Sequence, residues 1–290
     1  MAVDGFAPND LLREHVGGEW TVVPTQSGAM GSSYFATSGD RRLFLKIPAD
    51  LRAVPRLAEI GIAPPIVAAG EWLGQPFLLQ EWIAAGPADR AWMRANAPTV
   101  VRLMRAYHTD APLRDALLPT CPGTFAAHLA HELDGIETGL AAAAAPEFRE
   151  PPVLQAIARL FARAGDLPHA PVIPAHGDPN LYNLLITVGR IYLIDWDAVT
   201  LSDPLRDLSL LLWWYVPPSE WSAALYAYDN GARPIERDLI EWWAARASLR
   251  IALWLDAHRR DSGLLRSFLA DFLAAESGAP NPKMSPDGNP

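Results

Sequence analysis

Residues 175–186 read AHGDPNLYNLLI and residues 192–199 read YLIDWDAV. Asp178 therefore falls on a tight Gly-Asp-Pro turn, Asn183 follows five residues later, and Asp195 ends an apolar strand 17 residues after Asp178. Such a set can serve phosphoryl transfer, which needs one carboxylate to orient a substrate hydroxyl and oxygen ligands for Mg²⁺ on the nucleotide phosphates. In that chemistry Asp178 accepts the proton, Asn183 binds one metal ion and Asp195 bridges the metals, while His176 braces the loop through hydrogen bonds. Taken singly, each residue is equally at home in an ordinary turn, because Asp and Asn side chains bond readily to nearby backbone. It is their joint occurrence between apolar strands that carries the functional reading.

The elements that must hold these groups follow from the hydrophobic pattern. From Trp20 to Ile47, short β-rich runs alternate with Gly/Ser turns, the pattern of a three-stranded meander. Residues 51–61 (LRAVPRLAEIG) read as a short helix broken by Pro55, and IVAAGEW with QPFLLQEWI as a further hairpin. Residues 1–83 are thus expected to form a small, mostly antiparallel, nucleotide-binding lobe. Beyond Ala84 the period becomes helical, with Trp92, Met93, Val100, Leu103, Met104 and Tyr107 largely on one face of 89–108. Further helices are expected at 124–144, 152–164, 204–215, 219–230, 235–258 and 263–275. Among them, LLITV and IYLID flank a Gly189-Arg190 turn as an inserted β-hairpin. The expectation is an α+β chain with a helical catalytic and substrate lobe over 84–275 and a disordered tail over 276–290.

Composition narrows the partners. With 50% hydrophobic residues in 290, the chain can bury a large core without disulfides, and the single Cys121 excludes both an intrachain disulfide and a cysteine zinc framework. The net charge of −9 argues against nucleic acid, whose binding rests on Lys and Arg neutralising phosphates, and suits a cationic small molecule. The start MAVDGFAPND lacks a basic segment followed by an apolar one, so a cytoplasmic protein is expected. The apolar run Leu208–Val216 is far shorter than the roughly 20 residues that span a bilayer, so no membrane partner is expected.

The combination HGDPNLYNLLI, YLIDWDAV and DPLRDLS resembles the aminoglycoside phosphotransferase and choline kinase-like family, over roughly residues 18–275. The resemblance implies a protein-kinase-like bilobal fold with the nucleotide between the lobes. It makes Asp178 the catalytic base, Asn183 and Asp195 the Mg²⁺ ligands, and Asp207 the structural anchor of the catalytic loop. Lys46, at the end of the third strand, occupies the place where such kinases keep the lysine that holds ATP phosphates, acting as a point charge. Small residues in the loop from Ser27 to Ser33, Gly28, Gly31 and Ser32 among them, would let backbone N–H groups approach phosphate oxygens. Glu81 and Ile83 would neighbour the adenine at the hinge. One feature departs from the family pattern: only 12 residues separate Lys46 from Glu59, which lies just before the Gly61 that should end its helix. Glu59, Asp50 or no residue at all are the open alternatives for the lysine's partner.

Other motifs receive plainer readings. His128, His131 and Glu132 (HLAHE) are expected on a solvated helix face rather than at a metal. Trp213, Trp214, Trp221, Trp242 and Trp243 are expected in the core, with one or two of them lining the substrate pocket. No GxSxG elbow supports a serine hydrolase. The resulting expectation is a Mg²⁺-dependent phosphotransferase that moves the γ-phosphate of ATP, with GTP as the alternative donor, to a hydroxyl of a small amine-bearing molecule. An aminoglycoside-like antibiotic is the first choice. A metabolic kinase for choline, thiamine, an amino-alcohol or a sugar is the alternative, and an inactive nucleotide-binding module comes third.

Overall fold

A computed structural model of the chain describes residues 7–25, 32–86, 88–232 and 236–284. The chain divides into two compact units, residues 1–88 with 182–199 and residues 89–181 with 200–290. The first opens with α1 (Pro8–Val16), β1 (Thr21–Pro24), β2 (Ser32–Ser38), β3 (Arg41–Ile47), α2 (Val54–Glu59), β4 (Ile66–Trp72) and β5 (Gln75–Glu81). The second begins with α3 (Arg90–His108), α4 (Ala111–Leu117), α5 (Phe125–Ala142), α6 (Pro151–Ala164) and β6 (Ile173–Ala175). The chain returns to the first unit for β7 (Leu184–Thr187) and β8 (Arg190–Leu193). It then completes the second with β9 (Thr200–Ser202), α7 (Leu205–Tyr215), α8 (Trp221–Asp229), α9 (Arg237–Ala257) and α10 (Ser262–Ser277).

In the first unit the five strands form an antiparallel sheet in the order β1-β2-β3-β5-β4, containing the expected meander and hairpin. Alternation in RRLFLKI sorts the faces: Leu43, Leu45 and Ile47 are buried, while Phe44 and Lys46 project from the opposite face. Helix α1, not anticipated from the sequence, buries Leu11 and Leu12 against Leu43, Leu45, Ile47, Phe77 and Leu79. Pro55 does not break α2 but lies in its first turn, where a missing N–H costs nothing. The helix stops at Gly61, whose φ of +73° favours glycine and where a Cβ would run into the Arg190 guanidinium. The β7–β8 hairpin, which sequence order puts within 84–275, is bonded to this unit. Leu193 N–H donates to the Ile62 carbonyl and Gly86 N–H to the Ile186 carbonyl, both at 2.8 Å.

The second unit is helical, with one short antiparallel pair, β6–β9. Helix α7 is buried along its whole length and α9 from Ile240 to Leu249, the signature of helices enclosed on all sides. Trp213, Trp214, Trp221, Trp242 and Trp243 all lie in this core. The expected solvated face of α5 is not one: His128 and Glu132 are buried and only His131 faces solvent. Glu132 is buried because Arg206, Arg246 and Arg250 from other helices surround its carboxylate, and His128 Nε2 bonds to Ser202 Oγ at 2.7 Å. The disordered tail expected from residue 276 is not found over 276–284. Helix α10 runs to Ser277, and the buried Asn281 donates its amide to the Trp213 carbonyl; residues 285–290 lie outside the described residues. Among the described residues no helix is long and apolar enough to cross a membrane.

Candidate active site

In the helical unit, β6 delivers the chain into His176-Gly177-Asp178, and Gly177 makes the turn with a φ of +88°. The turn is held from beneath by Asp207, in the first turn of α7. Its carboxylate accepts the N–H groups of His176 and Gly177, each at 2.8 Å, the Tyr107 hydroxyl at 2.7 Å, and a bond from His108 Nε2 at 3.1 Å. Burial alone would push the Asp207 carboxyl up, but the bond from His108, the nearby histidine charges and the bond from Tyr107 together bring it down to about 2. Asp207 is therefore a charged anchor inside the core. His176 turns its ring onto the same loop, where Nδ1 accepts the Asp178 N–H at 3.1 Å. The Asp178 carboxylate in turn accepts from Asn180 Nδ2 at 2.8 Å. Downstream, the Leu181 N–H donates to the Tyr215 hydroxyl oxygen at 3.3 Å. Asp178 is half-buried and braced on both sides. A carboxylate has about four lone-pair sites and can accept from more than one donor at once.

In the sheet unit, Asn183 and Asp195 flank the two strands at the open end of the hairpin. Leu184 pairs with Leu193, and beyond that pair Ile194 N–H donates to the Asn183 carbonyl at 2.9 Å. Asp195 adopts a left-handed backbone, φ 63° and ψ 60°, a conformation that costs free energy in a residue other than glycine. The turn is pinned by the buried Trp196, whose indole N–H donates to the Leu193 carbonyl at 2.8 Å. The Asp195 side chain remains 56% exposed.

Lys46 reaches this hairpin end from β3. Its Nζ lies 2.5 Å from Asp197 Oδ1 and 3.4 Å from Asp195 Oδ1. The partner is thus neither Glu59 nor Asp50. Glu59 ends a six-residue helix and takes the Arg56 guanidinium at 3.1 Å in solvent. Asp50 is chelated by Arg52; burial raises its carboxyl, but the Arg52 bonds and charge and the Lys46 charge hold it below the usual range. Asp197 was not singled out from the sequence, although the second acid of IDWD was the signal for it. The face of β3 that bears Lys46 also carries Phe44, paired across the sheet with Phe35, which makes an edge-on contact with Trp82 at 4.7 Å between centroids. Phe35 and Trp82 are both exposed. Such a group suits the face of a planar ligand, and alternation in RRLFLKI would have revealed it. Glu81 N–H is bonded to the Pro65 carbonyl and Trp82 N–H to that of Arg42, whereas Ile83 is half-buried just beyond β5. Ser32 opens β2 opposite Ile47; Gly28 and Gly31 lie outside the described residues.

The donor set bears on the metal. Among the described residues no three His, Cys, Asp or Glu side chains cluster as a complete cage. The amide of Asn183 and the carboxylates of Asp195 and Asp197 are nonetheless hard oxygen donors at one hairpin end. That set fits Mg²⁺, which is commonly held by one or two carboxylates with water and phosphate oxygens completing its shell. It does not resemble a zinc site, which would draw on His or Cys.

Comparison with solved structures places this architecture among kinase-like folds. A choline kinase, LicA from Streptococcus pneumoniae, superimposes with a TM-score of 0.71 at 16% identity, covering 93% of this chain and 97% of its own. A spectinomycin phosphotransferase in complex with ADP and spectinomycin gives 0.65 at 14% identity, covering 91% and 92%. Macrolide 2'-phosphotransferase MphH from Brachybacterium faecium gives 0.64 at 18% identity, covering 91% and 97%. At such identities the likeness is one of fold. The model of the APH phosphotransferase enzyme family matches residues 21–244, well over half of the sequence, and the chain belongs to that family.

Proposed function

We propose that the chain transfers the γ-phosphate of ATP, with GTP as the alternative donor, to a hydroxyl of a small amine-bearing acceptor. The observation that carries this reading is the hairpin end in the sheet unit, where Asn183 is bonded to Ile194, the residue before Asp195, and Lys46 is bonded to Asp195 and Asp197. Asp178 orients the acceptor hydroxyl and takes its proton, a task for which Asp207 and His176 fix its loop. Lys46 supplies a compact positive charge to the phosphates. The adenine lies against the Phe35, Phe44 and Trp82 face, with the backbone from Glu81 to Ile83 at its edge. Asn183 and Asp195 would hold Mg²⁺, which when bound neutralises phosphate charge. Phosphoryl transfer of this kind is mostly positioning and charge neutralisation, which matches a site built from bonded, pre-oriented side chains. Dependence on intracellular ATP puts the reaction in the cytoplasm.

The acceptor class rests on charge and on the family. The net charge of −9 favours a cation, and the structural relatives include kinases named for choline, spectinomycin and macrolides. An aminoglycoside-like antibiotic is the first choice, with choline, thiamine, an amino-alcohol or a sugar as the alternative. The test is ADP release by purified protein with and without Mg²⁺, against a panel of these acceptors, with Asp178→Ala as the blank. Turnover on one acceptor that vanishes in the variant supports the proposal. Silence across the panel from protein that still binds ATP would favour a nucleotide-binding module.

A further inference from the structure

Of the 24 Lys and Arg residues in the sequence, only Lys46 and Lys283 are lysines. The two side chains are not equivalent, since an ammonium is a compact point charge with three donors and a guanidinium is a flat fork. Where this chain pairs a buried glutamate it uses arginine: Glu132 with Arg206 and Arg246, Glu241 with Arg237, and Glu276 with Arg159. The buried Asp271 is paired instead with Lys283, in the short turn Pro282–Met284 beyond α10.

The surroundings of its ammonium explain the choice. Lys283 Nζ lies 3.8 Å from the ring centroid of Phe268 and 5.8 Å from that of Trp214, and it is ion-paired with Asp271 Oδ2. Two aromatic faces and a carboxylate around an ammonium are the means by which proteins recognise organic ammonium ligands. Asp271 is fully buried, and burial raises its carboxyl against the pull of Lys283 and Arg90. A carboxylate in that position needs a cation beside it. The segment carrying Lys283 is latched rather than embedded. Asn281 donates to the Trp213 carbonyl and accepts the Lys283 N–H at 2.8 Å, while Lys283 itself keeps 22% of its side chain in solvent.

The cage is connected through α7 to the loop that carries Asp178. Trp214 precedes Tyr215, whose hydroxyl receives the Leu181 N–H three residues past Asp178. Arg90 ties the two together, donating to the Trp214 carbonyl and lying over the Tyr215 ring at 5.3 Å from its centroid. Arg90 also meets the sulfur of Met284 at 3.6 Å, so it touches the latched segment as well.

We infer that Trp214, Phe268 and Asp271 form a binding site for an organic ammonium group, and that Lys283 occupies it from within the chain as a competing ligand. The inference rests on the reading of the acceptor as amine-bearing and adds that the C-terminal segment regulates access to it. A tethered ligand acts at an effective concentration in roughly the millimolar range. A free ammonium therefore meets a site that is open only part of the time, and its apparent affinity falls by that fraction.

Two lysines in the whole sequence make the test direct. Acetylation of the full-length protein by an N-hydroxysuccinimide ester, read by peptide mass spectrometry, reports Lys283 with Lys46 as internal reference. Tetramethylammonium chloride should speed labelling of Lys283 at least about five-fold, whereas sodium chloride at equal ionic strength should not. By calorimetry, Lys283→Met should bind tetramethylammonium at least about ten-fold more tightly than the parent, and adding Asp271→Asn should abolish that gain. If the labelling rate is indifferent to tetramethylammonium and Lys283→Met binds it no tighter, Lys283 and Asp271 are a structural ion pair and the inference is wrong. Neither readout needs turnover, so a chain that binds the cation yet transfers no phosphate would refute the proposed function and leave the cage standing.

Discussion

The Lys46 ammonium donates to Asp197 Oδ1 at 2.5 Å, across 151 residues of sequence, while Glu59, only 13 residues beyond Lys46 in the intervening chain, pairs with Arg56. The short α2 is the cause. Ending at Glu59 and followed by Gly61, it leaves that carboxylate at the helix end in solvent, paired with Arg56 one turn back. Removing the two acids should therefore have unequal effects. Glu59→Gln should leave the KM for ATP within about two-fold of the parent, because an exposed pair is worth less than about 1 kcal/mol. Asp197→Asn should shift it by about ten-fold or more, since it releases a lysine that is largely shielded from solvent. Steady-state kinetics on both variants checks this, and the reverse order of effects would restore Glu59 as the functional partner.

Asp178→Asn keeps the shape of the loop, because an amide oxygen can still accept from Asn180. What it removes is the ability to take a proton. Turnover should fall by about 10² to 10⁴-fold while ATP affinity, read by calorimetry, stays within about two-fold. A parallel loss of nucleotide binding would mean that Asp178 shapes the site instead of acting on the acceptor.

Legibility in the sequence followed the range of the interaction. The five-stranded sheet, the hairpin and the long helices were readable because alternation and helical period are local properties, as RRLFLKI illustrates. Helix α1 escaped notice because nine residues with two buried leucines carry too little period, and α4 for the same reason with seven. The Asp178, Asn183 and Asp195 spacing was legible because all three lie in one loop and hairpin. The partner of Lys46 was not, since the second acid of IDWD lies 151 residues further along the chain and no local pattern joins it to β3. The burial of His128 and Glu132 depends likewise on arginines from α7 and α9. A run such as HLAHE reads as solvated until those cations are in place.

Asp207 accepts four hydrogen bonds in the core, two of them from the backbone that leads into Asp178. Asp207→Asn turns an amide N–H₂ toward some of those donors and removes the charge that pairs with His108. Breaking one partner of a buried charged cluster typically costs about 3–5 kcal/mol. The urea midpoint should fall accordingly, and turnover with it, because the same bonds position the loop that carries Asp178. A variant within about 1 kcal/mol of the parent would show that the anchor is dispensable.

His128 sets a pH dependence of stability that can be worked out in sign and size. Burial, together with the charges of Arg206 and Arg246, lowers its pKa from 6.5 to about 3, so the folded chain keeps the ring neutral where the unfolded chain protonates it. The unfolded state binds more protons below pH 6.5, and the stability due to His128 is fully present above that value and is lost as the pH falls toward 3. The slope is about 1.4 kcal/mol per pH unit, so lowering the pH from 7.5 to 5 should cost about 2 kcal/mol through this residue. His128→Gln can still bond to Ser202 but does not titrate. Urea unfolding at the two pH values should therefore show the parent losing about 2 kcal/mol more than the variant. Equal losses would mean that His128 holds the same number of protons folded and unfolded, and that the arginines gathered around Glu132 do not exclude a further charge.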